Sequence, residues 1–244
     1  MPAALDLAAA RAAGIRVLDE PAGKAMLRRV GITTPEGRVV NSPAAAVEAA
    51  TVLGYPCMVK VVATDEPHKS EHGGVAGPFD RPEDLLAAAI QMASTTASAH
   101  VELLVEPWIA GDAELIMGLT FDSAFGPTLT FGVGGIWVEE YHDVAHRLAP
   151  VSLDEATAMI LSRRAVRTLT GGRGGKSISI AGLADVIRCF SQLATDPQIQ
   201  AHVAEIEVNP LIVSAGAPPT AVDCTVVLRN SDDIFDHSTN ESRP

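Results

Sequence analysis

The sequence predicts a mixed α+β fold rather than a regular, doubly wound parallel sheet. Helix-forming and strand-forming segments alternate along the 244 residues, as expected for sheets covered by helices. Two strand-like segments, Glu114–Thr120 and Thr128–Val133, are separated only by the turn-forming stretch Asp122–Pro127, and so short a connection pairs strands antiparallel. The length fits one large domain or two small ones.

The first half of the chain is predicted to contain four helices and three strands. Ser42 and Pro43 are typical of a helix start, whereas Gly31 and Gly54 follow helical segments, where glycine is common. The polar segment Thr64–Gly77 is assigned to no element. The predicted helices are Ala4–Ala13, Glu20–Val30, Ser42–Leu53 and Arg81–Ala93, and the predicted strands are Arg38–Asn41, Cys57–Val62 and Val101–Glu106.

The second half is predicted to be richer in strands. Asn209 and Pro210 interrupt one β-favouring stretch, which we interpret as two short strands flanking a turn. From about Arg229 the sequence is polar, so we expect a loose tail. The predicted strands are Glu114–Thr120, Thr128–Val133, Glu205–Val208, Leu211–Val213 and Thr220–Leu228, and the predicted helices are Asp154–Leu169 and Ala181–Leu193.

The composition argues against several functional classes. There are 30 acidic and 18 basic residues, for a net charge of −12, and we expect no nucleic-acid partner because such proteins usually carry a basic face. Cys57, Cys189 and Cys224 are far apart and form no CxxC pair, which favours a reducing compartment and no zinc site. No apolar run approaches about 18 residues, and the N-terminus lacks a signal-peptide pattern. We therefore expect a cytoplasmic protein without a membrane partner.

Lys60 and the segment after it suggest phosphate chemistry. Lys60 stands inside an apolar strand, where burial is costly without an anionic partner; the alternative is an edge lysine that reaches water. His68 follows, and then Gly73 and Gly74. Adjacent glycines let backbone N–H groups approach a phosphate, and an imidazole is able to carry a phosphoryl group. Taken alone, His68 is better interpreted as a surface residue.

Two further clusters have both a functional and a purely structural interpretation. Asn209 and Asp223 are oxygen donors suited to magnesium if their strands pair; otherwise they are a turn residue and a strand-edge charge. Glu106, Pro107 and Trp108 end an apolar strand and suit an adenine base, with Glu114 accepting a ribose hydroxyl. The alternative there is a strand, a turn and a strand with a packed tryptophan.

A series of short motifs runs in order from Leu18 to Leu228. They are Lys24-x-x-Leu27, Gly31-Ile32, Gly54-Tyr55-Pro56, His68-Lys69-Ser70-Glu71-His72-Gly73-Gly74-Val75, Phe125-Gly126-Pro127, Phe131-Gly132-Val133-Gly134-Gly135-Ile136, Val138-Glu139, Arg147-Leu148-Ala149-Pro150, Glu205-Ile206-Glu207-Val208-Asn209-Pro210-Leu211 and Asp223. In this order and spacing the chain resembles the ATP-grasp (beta) subunit of NDP-forming acyl-CoA synthetases. ADP-forming acetyl-CoA synthetase is the nearer resemblance, and the succinyl-CoA synthetase beta subunit is a more distant one.

The resemblance implies an ATP-grasp fold, an α+β architecture of two lobes with the nucleotide between them. It implies an N-terminal helical segment at 1–20, a first lobe at 21–105, a second lobe at 106–228 and a polar tail at 229–244. It implies the following site residues: Lys24, Lys60, Gly73, Gly74, Glu106, Pro107, Trp108 and Glu114 for the nucleotide, Asn209 and Asp223 for Mg²⁺, and His68 as a catalytic phosphate carrier. His72 stands so close that either histidine is a candidate carrier.

The implied enzyme is an ADP-forming acid–CoA ligase that interconverts acyl-CoA, ADP and phosphate with a carboxylic acid, ATP and CoA. No CoA-binding domain is evident, so we expect a hetero-oligomer in which an alpha-type partner subunit binds CoA. Two alternatives stay open: a regulatory ATP-grasp subunit that senses ATP or ADP without turnover, and an ATP-grasp ligase that joins a carboxylate to an amine. The second explains the histidine-rich segment poorly, because such ligases form acyl phosphates without a histidine.

Overall fold

The computed structural model describes residues 6–62, 74–95, 101–122, 124–134, 143–164, 166 and 178–230. Its helices are α1 (Leu7–Ala12), α2 (Glu20–Arg29), α3 (Pro43–Leu53), α4 (Pro82–Thr95), α5 (Leu153–Ser162), α6 (Ile180–Ser191) and α7 (Pro197–His202). Its strands are β1 (Arg38–Val40), β2 (Cys57–Val61), β3 (Val75–Phe79), β4 (Leu103–Pro107), β5 (Ala113–Asp122), β6 (Gly126–Val133), β7 (Val144–Leu148), β8 (Val203–Val213), β9 (Thr220–Ala221) and β10 (Thr225–Leu228).

A small antiparallel sheet with the strand order β1-β4-β2-β3 forms the first lobe. Helices α3 and α4 pack against each other and cover this sheet. The alanine-rich inner face of α3 and the apolar inner face of α4 meet the alternating apolar residues of β2 and β4 in a core of their own. The sheet thus presents one face to its helices and leaves the other side for the site.

A larger antiparallel sheet, β10-β8-β5-β6-β7, forms the second lobe, with β9 paired to β8. Its core includes apolar residues of α5 and α6. Met26 and Leu27 of α2 also belong to this core, although the sequence analysis assigned 21–105 to the first lobe. The apolar residues of α2 follow helical spacing, so its buried face is free to join whichever core the chain reaches.

Most predicted elements are present with small shifts at their ends. Ser42 caps α3 by accepting the Ala45 N–H, and Gly54 ends it with φ of 96°. The turn between β5 and β6 is as short as predicted. Among the α-helices and strands of the described residues, three were not predicted: β3, β7 and α7. Helix α5 ends at Ser162, where Arg163 adopts an extended backbone. Arg164 and Val166 are again helical, and the remaining residues of the predicted helix, up to Leu169, lie outside the described residues.

The stretch around Asn209 and Pro210 is one continuous strand, β8, rather than two strands and a turn. Its pairing with β5 shifts register between Leu115 and Met117, so one residue of β5 faces two of β8. Such a bulge accommodates a proline, which has no N–H to donate to the ladder. Conversely, the predicted strand Thr220–Leu228 is divided into β9 and β10. Within the described part of the chain, no helix has the length and apolarity needed to span a membrane.

Candidate nucleotide site

A cavity of about 780 Å³ lies between the two sheets. That volume falls within the range of small-molecule sites, about 300–1,000 Å³. Its walls come from β2 and β4 on one side and from β5, β8 and the connection between β9 and β10 on the other. Seven of the residues predicted to bind nucleotide or metal line it: Lys60, Glu106, Pro107, Trp108, Glu114, Asn209 and Asp223.

The other predicted site residues are placed differently. Lys24 is 1% exposed and lies behind the wall without lining the cavity. Gly74 is beside the strand that carries Lys60, and its carbonyl accepts the Val61 N–H at 2.8 Å. His68 and Gly73 fall outside the described residues, so their assignments stay predictions.

Two lysines and two glutamates form a buried ion cluster at the cavity wall: Glu20, Lys24, Lys60 and Glu106. Lys24 Nζ lies 2.6 Å from both Glu106 carboxylate oxygens and 2.7 Å from Glu20 Oε1. Lys60 Nζ lies 2.5 Å from that same Glu20 oxygen and 3.2 Å from Glu106 Oε2. None of the four is more than 5% exposed. The cluster therefore balances two positive charges with two negative ones away from water.

The start of α2 supplies one half of the ion cluster. Asp19 caps the helix by accepting the Ala22 N–H, and Glu20 and Lys24 then lie one turn apart on the same face. Gly23, between them, lets the helix approach the large sheet. A Cβ at this position would stand 3.0 Å from the Cys224 sulfur and 3.2 Å from its carbonyl oxygen. The helix is thereby held against the segment that also carries Asp223.

The small sheet supplies the other half. In the pairing of β2 with β4, Met58 faces Glu106 and Lys60 faces Leu104, so Lys60 and Glu106 are diagonal neighbours. Lys60 Nζ also donates to the Val222 carbonyl at 2.5 Å. Lys60 therefore joins the first lobe to α2 and to the connection between β9 and β10 through a single ammonium group.

Electrostatics keeps these groups charged despite burial. Burial lowers the pKa of Lys60, but Glu20, Glu106 and Asp223 together outweigh it and raise that pKa above the ordinary value. Burial likewise raises the pKa of Glu20, but Lys60 and Lys24 outweigh it and leave that pKa below the ordinary value. Lys60 thus offers a permanent positive charge to the cavity, and among the described residues lining the cavity it is the one cation.

Another part of the cavity wall suits a flat heterocyclic base. Met58, Trp108 and Ile212 contribute apolar surface there. The backbone N–H of Trp108 donates to the Pro56 carbonyl at 2.9 Å, and this bond fixes the chain where β4 ends. Glu114 adds a carboxylate. Apolar walls with a few placed polar groups are typical of small-molecule sites.

Asn209, in β8, and Asp223, in the connection between β9 and β10, are the two residues that the sequence analysis assigned to a metal site. The Val222 N–H donates to the Pro210 carbonyl at 3.3 Å. This bond brings together the two chain segments that carry Asn209 and Asp223. Both line the cavity. Among the described residues, no group of three or more His, Cys, Asp or Glu side chains is placed to hold a metal ion. One carboxylate and one amide oxygen fit Mg²⁺, which usually takes one or two protein ligands beside phosphate and water.

Sequence reasoning missed two polar contributors to the site. Glu20 is the acid shared by Lys24 and Lys60, and its position four residues before Lys24 was the available signal. Asp112 also lines the cavity, and it accepts the Ala215 N–H at 2.9 Å. No sequence signal distinguishes Asp112 from an ordinary turn residue.

Comparison with known proteins identifies the family to which the chain belongs. A family model described as ATP-grasp domain matches residues 9–228. The chain is 33% identical over 219 residues to the beta subunit of acetate–CoA ligase [ADP-forming] I of Pyrococcus furiosus, an alignment covering 87% of this chain and 92% of that one. It is 33% identical over 199 residues to 4-hydroxybutyrate–CoA ligase [ADP-forming] of Nitrosopumilus maritimus, covering 80% of this chain but only 28% of that longer protein.

The fold agrees with that of a solved relative. It matches an acetyl-coenzyme A synthetase 1 of Ca. Korarchaeum cryptofilum with a TM-score of 0.78 and 30% identity, covering 91% of this chain and 98% of the other. That structure holds coenzyme A and Mg-AMPPCP, and its phosphohistidine segment points towards the nucleotide-binding site.

Proposed function

Because the chain belongs to the ATP-grasp domain family, we propose that it is the nucleotide-binding beta subunit of an NDP-forming acyl-CoA synthetase. The reaction is acyl-CoA + ADP + phosphate ⇌ carboxylic acid + ATP + CoA, carried out with a CoA-binding alpha-type subunit. The observation that carries the proposal is the single cavity that joins Lys60, the base wall at Trp108, and the oxygen donors Asn209 and Asp223.

Each part of the cavity has a role in this reaction. The base lies against Met58, Trp108 and Ile212, and Glu114 accepts a ribose hydroxyl. Lys60 binds the phosphates and stabilises the charge that develops on the transferred group. Asn209 and Asp223 hold Mg²⁺, which when bound neutralises phosphate oxygens.

A phosphohistidine relay links the two subunits in this proposal. One imidazole nitrogen of His68 attacks the γ-phosphorus of ATP, and the bond to the bridging oxygen breaks so that ADP leaves. The phosphoryl group then passes to a histidine of the partner subunit, and the reverse sequence makes ATP. The names of the relatives support this view, since one is a beta subunit and the structure of another contains a phosphohistidine segment.

Labelling with γ-phosphate-tagged ATP and magnesium tests the proposal on the full chain. We expect acid-labile, base-stable label on the wild type, loss of label in His68→Ala and retention in the matched control His72→Ala. Loss of label only in His72→Ala would move the carrier to His72. Nucleotide binding is measured in parallel by titrating Mg-ATP. Absence of binding at millimolar concentration would contradict the proposed function.

A further inference from the structure

The ion cluster contains a residue whose position suggests a role beyond burying charge. Of its four members, Lys60 and Glu106 line the cavity, whereas Glu20 and Lys24 lie behind the wall. Glu20 Oε1 contacts both ammonium groups, at 2.7 Å from Lys24 and 2.5 Å from Lys60. One carboxylate oxygen therefore separates two buried cations that would otherwise repel each other.

Lys60 contacts both acids of the ion cluster, but one of them more closely than the other. Its ammonium is closer to Glu20, at 2.5 Å, than to Glu106, at 3.2 Å. Glu106 is engaged by Lys24 through both oxygens, each at 2.6 Å. The carboxylate that fixes Lys60 is therefore mainly that of Glu20, and Glu106 is held mainly by Lys24.

Glu20 also ties Lys60 to the metal side of the cavity. Helix α2, which carries Glu20, is pressed onto the large sheet at Gly23, where a Cβ would stand 3.0 Å from the Cys224 sulfur. The second fixed partner of Lys60 is the Val222 carbonyl, one residue before Asp223. Both anchors of the ammonium belong to the lobe that holds Asn209 and Asp223, although Lys60 itself is in the other lobe's sheet.

We propose that Glu20 is a positioning residue for the phosphate end of the nucleotide: its carboxylate holds the Lys60 ammonium at the cavity wall, at a fixed place relative to Asn209 and Asp223. This inference rests on the proposed function, because it assumes that phosphates bind at Lys60. Glu20 does not contact the nucleotide; it acts through Lys60.

Net charge and the proposed positioning role predict opposite effects of Glu20→Gln on the affinity for Mg-ATP. The variant removes one negative charge next to the cavity, so electrostatic attraction alone would tighten the binding of an anionic nucleotide. Positioning predicts weaker binding, because the ammonium of Lys60 loses its nearest carboxylate and is no longer held towards the metal side. The sign of the change in affinity for Mg-ATP therefore separates the two.

The experiment compares Mg-ATP with adenosine, which has no phosphate, by calorimetric titration of the full chain. We expect Glu20→Gln to weaken Mg-ATP binding about tenfold, or about 1.4 kcal/mol, and to leave adenosine binding within about twofold. Glu48→Gln makes the same chemical change at an exposed site on α3 and is expected to bind both ligands like the wild type. Binding of Mg-ATP by Glu20→Gln at or above wild-type affinity would overturn the inference, as would equal weakening of both ligands.

A second variant keeps the test decisive if Glu20→Gln folds poorly. The double variant Glu20→Gln/Lys60→Met retains the neutral pair of Lys24 with Glu106. If Glu20 acts only through Lys60, the double variant binds Mg-ATP as Lys60→Met alone does; further weakening would contradict positioning. The wild type separates the two proposals. If the wild type binds neither Mg-ATP nor adenosine, the proposed function is rejected. If the wild type binds Mg-ATP and Glu20→Gln binds it equally well, only the role of Glu20 is rejected.

Discussion

Lys24 Nζ donates to both carboxylate oxygens of Glu106 at 2.6 Å, in a contact that is almost entirely closed to water. The two residues are 82 positions apart in sequence and come from different structural units, α2 and β4. Removing one partner of such a pair leaves an uncompensated buried charge, which costs far more than the intact pair contributes. Breaking this contact is therefore expected to destabilise the chain, and the contact also fixes Glu106 where it lines the cavity.

Lys24→Met is expected to lower the free energy of unfolding by about 3–5 kcal/mol. The methionine fills similar space, but Glu106 and Glu20 then share one ammonium, that of Lys60. Urea unfolding followed by circular dichroism measures the loss. Arg81→Met removes one partner of the exposed pair with Asp84 and is expected to change little; equal losses in the two variants would contradict the role assigned to burial.

Stability is expected to fall at acid pH partly through Glu20. Its pKa is lower in the folded chain than the ordinary value of about 4.5, so the unfolded chain binds the proton more readily. Its contribution is therefore complete above pH of about 4.5 and is lost as pH falls through the lower folded-state pKa. Unfolding free energies measured from pH 7 to pH 3 should fall less steeply for Glu20→Gln than for the wild type. The same acid slope in both proteins would contradict this assignment.

Gly23→Ala is expected to destabilise the fold although alanine favours helices. The added Cβ would stand 3.0 Å from the Cys224 sulfur and 3.2 Å from its carbonyl oxygen, and overpacking of this kind costs about 1–3 kcal/mol. Gly182→Ala in α6 is the matched control, since its nearest neighbour is the Ser179 hydroxyl at 3.4 Å. Thermal unfolding should show a lower Tm for Gly23→Ala and an unchanged or higher Tm for Gly182→Ala, since alanine favours helices. A decrease of the same size in both variants would show that packing against Cys224 is not the cause.

Asp223→Asn is expected to raise the magnesium concentration needed for ATP binding by about tenfold, about 1.4 kcal/mol. The variant replaces a carboxylate with a weaker, neutral ligand for a hard cation. Titration of Mg²⁺ at fixed ATP measures the shift. Because Asp223 also acts on Lys60, binding of metal-free ADP serves as the control. An equal loss with and without magnesium would assign Asp223 to Lys60 rather than to the metal.

The parts of the fold that depend on local pattern are predictable from the sequence. The bounds of α3 follow from Ser42 and Gly54, and the β5–β6 hairpin follows from its short turn. Strand β7 was not predicted because most of its residues are exposed, among them His146 and Arg147. It therefore lacks the alternation of apolar and polar residues that indicates a strand. Pro210 was read as a break because the bulge that accommodates it depends on the facing residues of β5.

Asn209 and Asp223 were predicted as a pair from their residue types, and both line the cavity; their role as metal ligands stays a prediction. Glu20 was not predicted, because its role depends on Lys60, 40 residues later. Nothing in the local sequence indicates which buried charges meet after folding. The sequence left open whether Lys60 is buried with an anionic partner or reaches water at a sheet edge. Its contacts with Glu20 and Glu106 show that it is buried and paired.

The neutrality of the ion cluster also constrains how this chain is able to evolve. Glu20, Lys24, Lys60 and Glu106 carry two negative and two positive charges, so a single inherited substitution that removes one of these charges leaves another unmatched and buried. An acid and a base must therefore be exchanged together, or nearly so. Relatives that have given up nucleotide binding, and with it the need for Lys60, would be expected to have replaced an acid of the cluster as well.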